Sequence, residues 1–133
     1  TLATLQNRGI TASQTSAASW RVEPGEVRGA KVQIEPDLSN AGPFLAAALV
    51  TGGTVSIPNW PETTTQVGAE FVRLLGQMGA EVSFQEGVLT LTGNAEISGI
   101  DADLSAAGEL TPTIAALAAL AGTPSRLTGI SHL

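Results

Sequence analysis

The chain has 133 residues, 43% of them hydrophobic and 14% charged, which is enough apolar material for one packed domain and too little charge for a disordered chain. Twelve acidic residues against six basic ones leave a formal charge of -6, and this argues against a nucleic-acid binder, whose affinity rests on clustered Lys and Arg. The absence of cysteine excludes disulfides and thiolate metal ligands, and a single histidine leaves little for zinc.

Neither a metal nor a cofactor is expected, and the lack of cysteine fits a reducing cytoplasm. The longest apolar stretches, Phe44 to Val50 and Ile114 to Ala121, fall well short of the roughly 20 residues that cross a bilayer. No basic-plus-apolar leader opens the chain, so a soluble, non-secreted protein is expected.

In chain order, a helix end runs to Arg8 and stops at Gly9. Short strands at Ile10 to Ala12 and Ser19 to Val22 follow, joined by a Ser/Thr/Gln loop, with Pro24-Gly25 closing the hairpin. Lys31 to Ile34 reads as a strand entering Glu35-Pro36. Ser39 or Asn40 can cap a helix running to Val50, which Gly52-Gly53 stops before a strand at Thr54 to Ile57. Glycines after a helix are C-caps and lie at the wrong end to cradle an anion.

A polar turn around Pro61 to Thr65 leads to a helix in which Val67, Phe71, Leu74, Leu75 and Met78 stand at core-facing spacing, ended by Gly79. Strands at Glu81 to Phe84 and Val88 to Leu91 flank a Gln-Glu-Gly turn. Trp20 alternates with Val22 along a strand and is expected in the core. Trp60, between Asn59 and Pro61, is expected to cover a loop.

Two echoes run through this order. Asp37-Leu38-Ser39 returns 66 positions on as Asp103-Leu104-Ser105, and Leu5-Gln6-Asn7-Arg8-Gly9 returns 70 positions on as Leu75-Gly76-Gln77-Met78-Gly79. A four-residue insertion, Glu109 to Pro112, reconciles the two offsets, and loops absorb such insertions at little cost. The unit is β-α-β-α-β-β over about residues 31 to 93, and Ile97 to Ile130 repeats its first half as strand, helix, strand. The chain begins inside one unit and stops inside another, so a piece of a larger protein is expected. The helices Phe44 to Val50 and Ile114 to Leu120 lack a polar face and are expected to be buried nearly all round.

Several strings carry a family resemblance: Ile34-Glu35-Pro36-Asp37-Leu38-Ser39-Asn40-Ala41, the helix from Phe44 to Ala48 with Gly52-Gly53-Thr54-Val55 after it, Gln77 to Val82, Gly108-Glu109-Leu110-Thr111-Pro112, and Gly129 to Leu133. Over its whole length the chain resembles the 5-enolpyruvylshikimate-3-phosphate synthases, most of all their actinobacterial members. The resemblance implies an α/β fold of six β-α-β-α-β-β units in two domains of three, with inward helices, outward sheets and an active site in the cleft between domains. It implies that residues 1 to 34 end the domain that holds shikimate 3-phosphate and that residues 35 to 133 begin the second domain. The crossover then lies near Glu35-Pro36. The implied partners are shikimate 3-phosphate, phosphoenolpyruvate and the remainder of the same chain, with no nucleic acid and no membrane.

By itself, Glu109 reads as a solvated acidic residue ahead of a helix, with Thr111 as cap and Pro112 in the first turn, where the helix dipole favours negative charge. By the resemblance it is the catalytic carboxylate, supplied as Asp in many members, that takes the proton from the 5-hydroxyl of shikimate 3-phosphate. His132 aligns where many relatives carry an asparagine against the shikimate ring. This departure, and the lack of a partner, leave it outside the catalytic set. Asp37 and Asp103 occupy one place in the repeat, and helix capping explains both.

The family's other working groups, the lysine-serine and arginine of the first strand, the phosphoenolpyruvate loop, the serine-serine-glutamine motif and a late basic segment, are not in this stretch. Two other classes stand beside this one. A UDP-N-acetylglucosamine enolpyruvyl transferase shares the fold but usually has an Ile-Glu-Ala-Gly-Thr-type string where Asp-Leu-Ser-Asn stands. A non-catalytic repeat module would need a sizeable exposed apolar patch.

Overall fold

The computed structural model describes residues 1–133, which divide into two compact units, Thr1–Ile34 and Glu35–Leu133. In the first unit, helix α1 (Leu2–Asn7) leads into an antiparallel hairpin of β1 (Ala12–Ser16) and β2 (Ser19–Val22). Gly9 ends α1 at φ 81°, a left-handed conformation that glycine adopts without a Cβ clash. The Ile10 N–H returns to the Leu5 carbonyl at 3.1 Å. Ser13 to Ser16, read as a loop, is strand: β1 continues to the two-residue turn Ala17-Ala18, with an irregularity between Gln14 and Ser16.

Trp20 is 61% exposed, beside Leu2, Leu5 and Val22, and does not join a core. One six-residue helix on one hairpin has too little surface to enclose an indole. The expected strand at Lys31 to Ile34 does not form, and Val32 and Ile34 are exposed. An alternating pattern makes a strand only where a neighbouring strand supplies ladder partners.

The second unit opens with α2 (Leu38–Thr51) and β3 (Thr54–Pro58). A 3₁₀ turn (Val67–Glu70) then runs into α3 (Phe71–Gln77), followed by the hairpin β4 (Glu81–Gln85) and β5 (Val88–Thr92). The three strands form an antiparallel sheet in the order β3-β5-β4. Glu86 and Gly87, at φ 50° and 75°, make the two-residue hairpin turn that matches strand twist. One face of the sheet carries Val55, Ile57, Val82, Phe84, Leu89 and Leu91. The other carries hydroxyls that pair across strands, Thr54 with Thr92 at 3.0 Å and Ser56 with Thr90 at 2.9 Å.

Helix α3 buries Phe71, Leu74 and Leu75, joined by Met78, as their spacing predicts. Its end reproduces the end of α1: Gly79 has φ 107°, and the Ala80 N–H returns to the Leu75 carbonyl at 3.0 Å. Beyond it, Ser98 N–H bonds the Met78 carbonyl at 3.0 Å, as Arg28 N–H bonds that of Arg8 at 2.9 Å. The 70-residue echo is thus a repeat of backbone hydrogen bonds as well as of letters.

The chain then forms β6 (Asp101–Asp103), a 3₁₀ turn (Gly108–Leu110), α4 (Thr111–Ala118) and β7 (Arg126–Thr128), with β6 and β7 parallel. This is the expected strand-helix-strand half unit. Both long helices bury one face, α2 through Leu38, Leu45 and Leu49 and α4 through Ile114 and Leu117. They are not buried all round. Phe44 is 66% exposed and Leu120, just past α4, 61% exposed. A helix with no polar side remains half open when the elements packed against it cover only one flank. Trp60 is 6% exposed, part of the core rather than a loop cover, because Pro61, Val72, Phe84 and Leu89 line the same hollow of about 350 Å³.

Candidate active site

The repeated triplet makes the same turn twice. Asp37 Oδ1 accepts the N–H groups of Ser39 and Asn40, each at 3.1 Å, and so satisfies two donors of the first turn of α2. Asp103 Oδ1 accepts the Ser105 N–H at 2.9 Å, and this bond, with help from the Ser105 hydroxyl, holds its carboxyl below the usual range. Leu38 and Leu104 are fully buried beside them.

After the triplet the copies part. Asn40 continues α2, whereas Ala106 and Ala107 lead into the 3₁₀ turn and α4 starts only at Thr111. Asp103 therefore closes a turn and caps no helix, a correction to the sequence reading for that residue. Thr111 does not cap either: it is the first residue of α4, and its buried hydroxyl has no partner.

The inserted turn carries Glu109. Its side chain is exposed, and its Oε1 accepts a hydrogen bond from Ser39 Oγ at 2.5 Å. The starts of α2 and α4 thus meet at one solvent-facing carboxylate, in the positive potential that helix N-termini supply. His132 lies over the same turn, since a Cβ placed on Gly108 would stand 3.2 Å from its Nε2. The structure thus brings His132 against Gly108, the residue before Glu109. It leaves Asp37 as a cap, with both carboxylate oxygens bonded within its own turn.

A second polar cluster holds the segment before α2. Gln66 Nε2 donates to Glu35 Oε2 at 2.8 Å and to the Pro36 carbonyl at 2.9 Å, while its Oε1 accepts the Leu38 N–H at 3.0 Å. Thr64 Oγ1 donates to Glu35 Oε2 at 2.7 Å, and the Thr64 and Gln66 bonds lower the Glu35 pKa. Sequence reasoning missed Gln66, because a side chain 28 residues from the helix it braces leaves no local pattern. It also read Ser39 only as a possible cap. The one usable signal was the insertion itself: a turn without counterpart in the first copy must settle outside the common frame, against a neighbour.

No group of three or more His, Asp and Glu side chains is placed to hold a metal ion. No helix is long and apolar enough to cross a membrane. Glu109 lines neither the apolar hollow under Trp60 nor the one of about 550 Å³ between Thr64, Arg73 and Asp103.

This is thus an α/β chain with a repeated turn, in which the starts of α2 and α4 meet at an exposed carboxylate held by one hydroxyl. The sequence model of the family EPSP synthase (3-phosphoshikimate 1-carboxyvinyltransferase) matches residues 1–133, and the chain belongs to that family. It is 59% identical over 133 residues to a 3-phosphoshikimate 1-carboxyvinyltransferase of Kocuria rhizophila, covering 100% of this chain and 30% of that relative. The chain thus spans about a third of the curated relative's length. These matches do not favour the UDP-N-acetylglucosamine reading.

Proposed function

We propose that the protein to which this chain belongs transfers the enolpyruvyl group of phosphoenolpyruvate to the 5-hydroxyl of shikimate 3-phosphate and releases phosphate. In this reading Glu109 takes the hydroxyl proton as the oxygen adds to the enol C2 and the methylene C3 takes up a proton, and loss of a proton from the resulting methyl group together with phosphate restores the double bond. The observation that carries it is the Glu109 carboxylate, exposed between the starts of α2 and α4 and bonded by one donor only. Residues 1–34 close the domain that holds shikimate 3-phosphate, and residues 35–133 begin the second domain, in the cytoplasm and without a cofactor.

The test is Glu109→Gln in the full-length protein, which keeps size and hydrogen bonding but removes the proton acceptor. Steady-state phosphate release should show kcat lower by roughly 10²- to 10⁴-fold, with little change in shikimate 3-phosphate binding. Near wild-type turnover would return Glu109 to the role of a helix-start acid. Turnover of UDP-N-acetylglucosamine in place of shikimate 3-phosphate would overturn the substrate assignment.

A further inference from the structure

We infer that Ser39 is a positioning residue that acts through Glu109, an assignment that rests on the general-base reading above. Its hydroxyl donates to Oε1, and no other side chain bonds that carboxylate, so Oε2 is left for the proton of an incoming hydroxyl. An exposed glutamate on a three-residue turn has three side-chain torsions to spread over. One charge-assisted hydrogen bond from a rigid donor narrows that spread.

The donor is rigid for reasons visible in the backbone. Asp37 Oδ1 holds the Ser39 N–H at 3.1 Å, and Gln66 Oε1 holds the neighbouring Leu38 N–H at 3.0 Å. Gly68 packs so closely that a Cβ there would stand 2.5 Å from the Ser39 nitrogen. Ser39 is therefore braced by its own cap, by a distant side chain and by a neighbouring backbone. A reactive group held within a fraction of an ångström by such a second layer reacts faster than the same group left free. The repeat sharpens the point: the counterpart Ser105 spends its bonds on Asp103, whereas Ser39 reaches across to the other copy.

The test is a double-mutant cycle in the full-length protein, read by steady-state phosphate release. Ser39→Ala should lower kcat on the order of 10-fold, the loss expected for one hydrogen bond to a charged group, with KM for both substrates within about two-fold. Ser39→Thr, which keeps the hydroxyl, should recover most of that loss. In a Glu109→Gln background Ser39→Ala should cost less than about two-fold, because the group it positions no longer takes a proton. An undiminished loss in that background, or a raised KM at unchanged kcat, would assign Ser39 to substrate contact or to packing and overturn the inference.

If Ser39→Ala proves unfolded on melting, Ser39→Cys, close in size and a poor donor, must show the same kcat loss. Should Glu109→Gln collapse turnover while Ser39→Ala or Ser39→Cys leaves it intact, the Ser39 inference alone falls. Should Glu109→Gln itself turn over normally, the general-base reading falls first.

Discussion

Gly68 lies against the backbone of Leu38, so that a Cβ on the glycine would stand 2.5 Å from the Leu38 carbonyl carbon. This contact seats the 3₁₀ turn ahead of α3 on the first turn of α2. It thereby fixes where Ser39, and through it Glu109, can stand.

Gly68→Ala should destabilise the full-length protein by roughly 1–3 kcal/mol, because backbone atoms cannot yield as a flexible side chain can. Gly76 is the control. It lies in α3, and a methyl placed on it would meet nothing within 4 Å, so Gly76→Ala should stabilise by about 0.5–1 kcal/mol through helix propensity alone. Thermal melting of both variants checks the pair, and an equal response would show that the close approach at Gly68 has no energetic weight.

Removing the cap of α2 is expected to cost about 1 kcal/mol, within a range of about 0.5–2. Asp37→Ala leaves the N–H groups of Ser39 and Asn40 without their acceptor, whereas Asp37→Asn keeps a side-chain oxygen. Denaturant midpoints should order the proteins as wild type, then Asn, then Ala. Asp103→Ala frees one backbone donor at a turn, so its effect should be smaller than that of Asp37→Ala.

Acid should weaken the fold through Glu35 and Asp103, both of which titrate below their ordinary values of 4.5 and 3.8. The sign follows from which state takes the proton first. Above the ordinary value both folded and unfolded carboxylates are ionised, and the bonds from Thr64, Gln66 and Ser105 contribute fully. As pH falls through the ordinary value toward the lowered folded one, the unfolded chain binds the proton first and that contribution is lost. Glu35→Gln combined with Asp103→Asn should therefore flatten the fall in melting temperature between about pH 6 and about pH 3. A slope identical to wild type would show that these two bonds do not couple to folding.

Residues 1–133 produced alone should release no phosphate from the two substrates. Both substrates are anions, and developing charge in such a transfer is balanced by fixed cations and dipoles that supply most of the rate. None of the six basic residues lies in the segments 35–45 or 103–112 that surround Glu109. A saturable phosphate release by the isolated chain would contradict this.

Much of the architecture was legible because its signals are local. The repeat announced itself in Asp37-Leu38-Ser39 and Asp103-Leu104-Ser105, and its geometry follows from side-chain carboxylates that bond N–H groups two or three residues on. Gly9 and Gly79 ended their helices for the same local reason, a positive φ that glycine adopts freely. The spacing of Phe71, Leu74, Leu75 and Met78 marked a buried face correctly.

What failed depended on neighbours. Trp20 and the Lys31–Ile34 segment carry strand and core patterns, yet burial and pairing need surface and ladder partners that a 34-residue unit does not supply. Trp60 went the other way, since a residue in a turn is buried when Phe84 and Leu89 of a sheet and Val72 of a helix close over it. Phe44 and Leu120 are as apolar as any core residue, and only the flank on which their helices pack leaves them open.

By itself the sequence determined the repeated turn, the helix ends, the buried stripe of α3 and the position of a carboxylate ahead of α4, because each is set by bonds and spacings within a few residues, but not the first strand of the expected unit, which does not form. Only the tertiary structure decided that Ser39 meets Glu109 and that Gln66 ties Glu35, Pro36 and Leu38 together. Those contacts join residues 28 to 70 positions apart, and no local periodicity records a contact that exists only once separate turns have packed.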